Sequence, residues 1–354
     1  MRIASATLAA CTQALSDPEW KFARSQVPSL EGWVLRLEDE EGHQGLGYCH
    51  AIPAISTHGA GARAGLELLA PRLVGRSPAD HAAIMEEIDT VLAYQPTVKA
   101  AIDMALHDLL ARRLGVPMHV LMGGKLRDRV PLSRILPIKA PREMATLAGQ
   151  LAAEGYRQLK LKLAGDIDTD VRRIAEVRSA VGAQVALTLD PNQSYDAKRL
   201  IRIFARMEPH DVSLIEQPVP AADFAGLALL TRTLPVAIEA DESAQTVRDV
   251  FRLVSERAVD VINLKITNLG GIRRFLQAMR ICEAGEVGCR MGAAFGPALL
   301  QATSLQAACV IRHLPYACEL SEHLHLRDDP FTPLPVEDGC LLLPAGAGCG
   351  IGYR

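Results

Sequence analysis

From about residue 130 onward, short Leu-rich or β-branched runs alternate with amphipathic stretches of helical period. The runs are Val130–Leu136, Gln158–Leu163, Gln184–Asp190, Val212–Glu216, Val236–Asp241, Val259–Lys265, Val287–Met291 and Tyr316–Leu320. Regular βα alternation implies a parallel sheet with right-handed crossovers. Eight such units predict a closed (β/α)8 barrel. Before residue 130 the pattern is mixed. Met1–Leu15, Gly32–Glu38 and Gln44–Cys49 read as strands, with a turn at Asp39-Glu40-Glu41-Gly42. Ala60–Ala70, Ala79–Ala93 and Thr97–Leu114 read as helices, the last stopped by Gly115 and Pro117. The expected organisation is an α/β protein: an N-terminal α+β capping domain over 1–125, a TIM-type barrel over 126–322, and a segment over 323–354 that returns to the cap.

Composition narrows the classes. Apolar residues make up 49% of the 354, enough for a sizeable core, and 22% charged residues argue against disorder. With 38 Lys+Arg against 41 Asp+Glu, and 4% aromatics, nucleic-acid binding is not expected. No apolar run reaches the ~18 residues of a membrane span. Leu8-Ala9-Ala10-Cys11 mimics a lipoprotein cleavage box, but the stretch before it is short and mixed, so it reads as strand. The eight cysteines form no CxxC pair and read as thiols of a reducing, cytoplasmic compartment.

Charge then appears where a doubly buried barrel strand should be apolar. Lys160 and Lys162 lie on the second run, Asp190 ends the third, Glu216 the fourth, Asp241 the fifth and Lys265 the sixth, and Glu319 lies on the eighth. From Lys162 to Lys265 the steps are 28, 26, 25 and 24 residues, one per βα unit. Barrel active sites lie at the C-terminal ends of the strands. Residues two apart share a face, so Lys160 and Lys162 face the axis while Leu159, Leu161 and Leu163 face the helices. Three carboxylates on neighbouring strands are expected to converge. Either a hard divalent ion, Mg2+ or Mn2+, balances them, or a salt-bridge network with the lysines does. Strands 2 and 6 are four steps apart, so Lys162 and Lys265 should oppose each other across the mouth. That suits removing a proton α to a carboxylate from one face and delivering one to the other. Neighbouring positive charge should lower the pKa of Lys162.

These residues, as Lys160-Leu161-Lys162, Asp190-Pro191-Asn192, Ile215-Glu216-Gln217-Pro218, Asp241-Glu242-Ser243 and Asn263-Leu264-Lys265, resemble the ordered motifs of the enolase superfamily, most closely its muconate-lactonizing enzyme (muconate cycloisomerase) subgroup. Ala101–Leu110 and Leu121-Met122-Gly123-Gly124 resemble its capping helix and linker, so the likeness spans essentially the whole chain. The resemblance implies Asp190, Glu216 and Asp241 as Mg2+ ligands, Lys162 and Lys265 as acid/base residues, and Lys160 as electrostatic helper. Asn192 and Glu242 would lie near the metal, and Glu319 resembles the eighth-strand glutamate of the cycloisomerases. The dipeptide epimerases of the subgroup carry Asp-x-Asp on that strand. Here it reads Cys318-Glu319-Leu320-Ser321-Glu322, which speaks against a free-amine dipeptide. Cys289–Phe295 on the seventh strand matches no subgroup signature, and His107, where tryptophan is common, reads as packing.

For specificity, Trp20, Lys21, Phe22 and Arg24 fall in a loop expected to cover the substrate. Arg134 either enters the pocket or pairs with a neighbouring acid, and His50 and His58 read as structural. The expected partner is a small-molecule carboxylate, and the expected assembly a homo-oligomer. The expected function is racemisation or epimerisation of an α-substituted acid such as an N-modified amino acid. The alternatives are muconate-type cycloisomerisation, dehydration including syn-elimination of the o-succinylbenzoate synthase type, and a non-catalytic barrel relative. Gly59-Ala60-Gly61-Ala62-Arg63-Ala64 loosely fits a dinucleotide fingerprint but lacks the strand-to-helix turn and the βαβ unit. Neither GxSxG nor a Walker loop occurs.

Overall fold

The alternating pattern after residue 29 folds as one long strand, and the cap is built around it. The computed structural model describes residues 2–22, 25–26 and 29–354. Strand β2 (Ser29–Asp39) is flanked antiparallel by β1 (Ile3–Ala10) and β3 (Gln44–Ala51). The expected strand Met1–Leu15 is shorter: beyond Ala10 only Gln13–Ala14 returns to pair with Leu30 and Ser29. Leu8, Ala9 and Ala10 pair with Leu35, Val34 and Trp33, as strand residues. Helices α1 (Gly59–Leu69), α2 (His81–Val91) and α3 (Pro96–Arg113) cover the sheet. Gly59 and Gly61 open α1 after an antiparallel strand, with the Gly61 N–H donating to His58 Nδ1 at 3.3 Å, so no dinucleotide-type βαβ turn forms.

Helix α3 is buried on nearly all sides because it has three neighbours. It lies so close to β3 that a Cβ on Gly47 would sit 1.9 Å from the Ala101 carbonyl oxygen. Gly47→Ala is therefore expected to destabilise the fold by about 2–3 kcal/mol, seen as a lower urea midpoint; a change within 0.5 kcal/mol would contradict this packing. Toward the barrel, Asp103 Oδ1 accepts from Ile272 N at 2.7 Å, at the start of the helix Ile272–Ala284. His81 and His107 flank this carboxylate at 3.1 and 3.2 Å. Against the opposing effect of burial, the two histidines hold Asp103 well below the usual range, and Asp103 raises His107. His107 thus belongs to a charged clasp between cap and barrel. Toward the later chain, Asp108 accepts from Leu46 N at 2.9 Å and Cys349 N at 2.7 Å.

Seven parallel strands form the barrel ladder in sequence order: β4 (Ser133–Leu136), β5 (Gln158–Lys162), β6 (Ala186–Asp190), β7 (Val212–Glu216), β8 (Ala237–Ala240), β9 (Val261–Leu264) and β10 (Gly288–Met291). The expected eighth strand is reduced to a closing bridge. Cys318 N donates to Pro131 O (2.9 Å), Ser133 N to Cys318 O (2.8 Å) and Glu319 N to Met291 O (3.0 Å), joining the two ends of the ladder. The first run also splits: Arg129–Pro131 leaves the barrel to pair with Cys340–Leu342. Among the described residues, no helix is long and apolar enough to cross a membrane.

Candidate active site

The side-chain period of two on each barrel strand sorts charge inward. On β5, Leu159 and Leu161 are fully buried against the helices, whereas Lys160 and Lys162 line the cavity at the barrel mouth. Register places Lys162 beside Asp190 and Lys160 beside Thr188. Lys162 ends β5 and Lys265 follows β9, four strands further round the ladder, and both line the same cavity.

Beneath the mouth lies a buried ionic layer. Lys160 donates to both oxygens of Glu216 (3.0 and 2.9 Å) and to Glu319 (2.9 Å), and lies 3.2 Å from Asp190. Arg290, fully buried on β10, grips Glu239 with two bonds (2.8 and 2.6 Å) and reaches Glu216 at 3.1 Å and Glu319 at 2.8 Å. Closer to the opening, Lys162 pairs with Asp190 and donates to Asn192 Oδ1 at 3.1 Å, and Lys265 pairs with Asp241 at 2.5 Å. Asn192 and Gln193 contact Glu242 Oε1 at 3.4 and 3.0 Å. The backbone is left-handed at Asn192 (φ 42°), Gln193 (69°) and Gln217 (36°), which non-glycine residues seldom adopt and which recurs at functional sites. Gln217 Oε1 accepts from the Asp241 and Ser243 N–H groups at 2.9 and 3.0 Å, fixing the loop that carries Asp241.

Electrostatics follow from this packing. Burial, with Asp190 and Glu319 nearby, pushes Glu216 well above the carboxylate range despite Lys160. Against burial, Lys162 and Lys160 hold Asp190 at about 2, and Arg290 and Lys160 hold Glu319 very low. Burial, then Asp241 and Asp190, raise Glu242 to about 7; burial does the same to Glu322. Lys265 lies above its ordinary value because Asp241 and Glu216 outweigh its burial.

The oxygens of Asp190, Glu216 and Asp241 do not form a compact triad. Among the described residues, the set whose ligand atoms all lie within 4.8 Å of one another is His81, Asp103 and His107. Each of the three lies against an ammonium: Glu216 and Asp190 by Lys160, Asp190 also by Lys162, and Asp241 by Lys265. The donor set still fits a hard divalent ion. Asp241 Oδ1 and Glu242 Oε2 are buried without a hydrogen-bond partner. Carboxylates also outnumber cations: Asp190, Glu216, Glu239, Asp241, Glu242, Glu319 and Glu322 surround Lys160, Lys162, Lys265 and Arg290. Oxygen donors in excess are what Mg2+ binding needs.

Trp20 and Phe22 form the cavity roof, both buried, with Lys162 Nζ 5.8 Å from the centre of the Phe22 ring. His50 lines the wall; burial lowers it to about 4, so it is neutral near pH 7. Lys21 is exposed and off the wall, and Arg24 lies outside the described residues. Arg134 does not enter this cavity. Ile135 takes the inward position on β4, and Arg134 stacks on Tyr156 at 4.8 Å, lining a neighbouring cavity with Asp17 and His325. Among the described residues its Nε has no hydrogen-bond partner, while its charge acts on the nearby Glu322. Glu239 and Arg290 were not singled out from sequence. Glu239 stands two residues before Asp241, the spacing that marks Lys160 before Lys162, and a lone arginine on a buried strand was the signal at Arg290.

Comparison with known proteins agrees with this layout. Residues 143–354 match the enolase C-terminal domain-like family, and residues 8–123 match the mandelate racemase / muconate lactonizing enzyme N-terminal domain. The chain is 30% identical over 334 residues to a hydrophobic dipeptide epimerase of Enterococcus faecalis, covering 94% of each chain. It is 33% identical over 291 residues to the chloromuconate cycloisomerase CbnB of Cupriavidus necator, covering 80% of this chain and 77% of that one. A crystal structure of the dipeptide epimerase from Enterococcus faecalis V583, complexed with Mg and L-Leu-L-Tyr, superposes with a TM-score of 0.96 at 29% identity over 100% of both chains. With both the cap and the barrel matched by its family models, the chain belongs to the enolase superfamily, in its mandelate racemase / muconate lactonizing enzyme branch.

Proposed function

We propose that the protein epimerises or racemises an α-substituted carboxylic acid, such as a dipeptide or another N-modified amino acid, by removing and returning the α-proton. The observation that carries this reading is the pair Lys162 and Lys265, four strands apart on one cavity, with carboxylate-bearing strands between them. The epimerases among the relatives support it. Asp190, Glu216 and Asp241 would hold Mg2+, which supplies positive charge to the substrate carboxylate and so eases the negative charge that develops as the α-proton leaves. Lys162 takes the proton from one face onto Nζ, and Lys265 delivers its own proton to the other; the reverse direction exchanges the roles. Sharing Asp241 with a cation weakens the carboxylate support that keeps Lys265 charged. Lys160 and Arg290 hold Glu216 in place, while Trp20 and Phe22 shield the reacting carbon from water. All eight cysteines are free, in keeping with a reducing, cytoplasmic setting.

Incubating dipeptides and N-acyl amino acids in D2O with Mg2+ tests this directly. Deuterium is expected at the α-carbon of at least one class; its absence from all of them would overturn the proposal. The same acid/base pair also serves cycloisomerisation, which would instead show as lactone formation from a muconate-type diacid. Asp241→Asn is expected to weaken Mg2+ binding more than about tenfold, read as a loss of the Mg2+-dependent rise in Tm. An unchanged Mg2+ titration in that variant would remove Asp241 from the ligand set.

A further inference from the structure

A second group of ligating side chains sits at the seam between cap and barrel. His81 opens α2, and Asp103 and His107 stand one turn apart on α3, so their four-residue spacing sets both on one face of that helix. One ligand atom from each of the three lies within 4.8 Å of the others. None of them lines the cavity that holds the lysines.

The geometry suits ligands of one ion better than partners in a hydrogen bond. His81 Nε2 and Asp103 Oδ2 are 3.1 Å apart and both sealed from solvent, yet they are out of hydrogen-bond alignment, and neither has another such partner among the described residues. Adjacent ligand atoms of a tetrahedral zinc site, with bonds of about 2.0–2.2 Å, stand about 3.3–3.6 Å apart. A shift of a few tenths of an ångström therefore brings this pair to ligand spacing. His107 Nδ1 faces the Asp103 carbonyl oxygen at 2.9 Å. A carbonyl can only accept, so Nδ1 carries the proton and Nε2 of the neutral ring keeps the lone pair. Metal-binding histidines are commonly oriented in this way, through a carbonyl or carboxylate on the other nitrogen. Asp103 is oriented too: Oδ1 accepts from Ile272 N at 2.7 Å, which leaves Oδ2 for a ligand. A Cβ on Gly271 would sit 2.4 Å from Asp103 Cγ, so the barrel loop makes room for this carboxylate. The side chains of His81 and His107 are 17% and 11% exposed, which gives an ion a way in and a place for water.

We propose that His81, Asp103 and His107 form a metal site apart from the barrel mouth, one that takes Zn2+ with water as the fourth ligand. Two imidazoles and one carboxylate suit zinc, whereas Mg2+ prefers oxygen throughout. Because Oδ1 of Asp103 holds the start of the helix Ile272–Ala284, an ion on Oδ2 would rivet the cap to the barrel through a single carboxylate. This assignment stands independently of the reaction proposed above.

The test uses the protein in excess Mg2+, so that oxygen-only sites are filled. After incubation with Zn2+ and gel filtration, the wild type is expected to retain one zinc per chain. Its Tm should rise by about 3–4 °C at a free zinc concentration of about 100 times Kd. His81→Gln and His107→Phe should each weaken zinc binding by about 100-fold or more, whereas Asp241→Asn should leave it unchanged. Co2+ in place of zinc should give the visible absorption bands of a nitrogen-ligated four- or five-coordinate ion, and the histidine variants should lack them. A merely structural role would lower Tm in those variants without moving their zinc content, so unchanged zinc content overturns the assignment. A wild type that retains no zinc overturns it as well, even if neither histidine variant folds. Loss of the zinc in Asp241→Asn would place the ion at the barrel mouth and overturn it equally.

Discussion

Lys162→Ala and Lys265→Ala are each expected to lower epimerisation by about 10²–10⁴-fold while leaving the fold intact, since both side chains reach the cavity from the ladder's rim. The diagnostic is asymmetric. With bases on opposite faces, each variant should lose α-proton exchange from one epimer and keep measurable exchange from the other. Exchange followed by NMR in D2O, starting separately from each epimer, reads this out. If one variant keeps nearly full turnover, the two-base description is wrong and a one-base cycloisomerase or syn-eliminase becomes the better description. Lys160 is not interchangeable with these two. It is fully buried and held by three carboxylates, which outweigh burial and keep it charged, so it acts as a fixed cation.

Arg290→Met should produce the largest loss of stability. The guanidinium is fully buried and holds Glu239, Glu216 and Glu319 together. Removing it leaves buried carboxylates without their cation, which typically costs about 3–5 kcal/mol. Urea denaturation would measure it, and a loss under about 1 kcal/mol would show that the acids find other partners. Arg290→Lys should recover only part, because an ammonium cannot reproduce the two-bond grip on Glu239.

What could be read in advance depended on how many strands repeated a signal. Lys160 and Lys162 stand out because the leucines between them mark the opposite face, and Asp190, Glu216 and Asp241 recur at the βα step. The closing bridge at Cys318 was harder, since three backbone hydrogen bonds there do the work of a strand and leave no periodicity. Arg134 was ambiguous because Ser133-Arg134-Ile135-Leu136 does not alternate, so its parity could not be assigned before the register was known. Glu239 and Arg290 form a charge pair between strands far apart in sequence, and neither residue signals its partner locally. The mutual spacing of Asp190, Glu216 and Asp241 was likewise hidden, because strand position fixes where an acid starts but not which ammonium draws it.

The cap is laced to segments far along the chain. Ser16 N donates to the His325 carbonyl and Arg327 N to that of Ala14, while α3 receives residues 348–351 through Asp108 and Arg112. On the ribosome, then, the β2–β3 hairpin and α3 can emerge and pair early, yet the chamber roof stays unstitched until residue 325 and its successors have been translated. Enclosure of Lys162 and Lys265 is in this sense a late checkpoint of biosynthesis: a nascent chain stalled inside the barrel would carry the proposed acid/base pair without its roof.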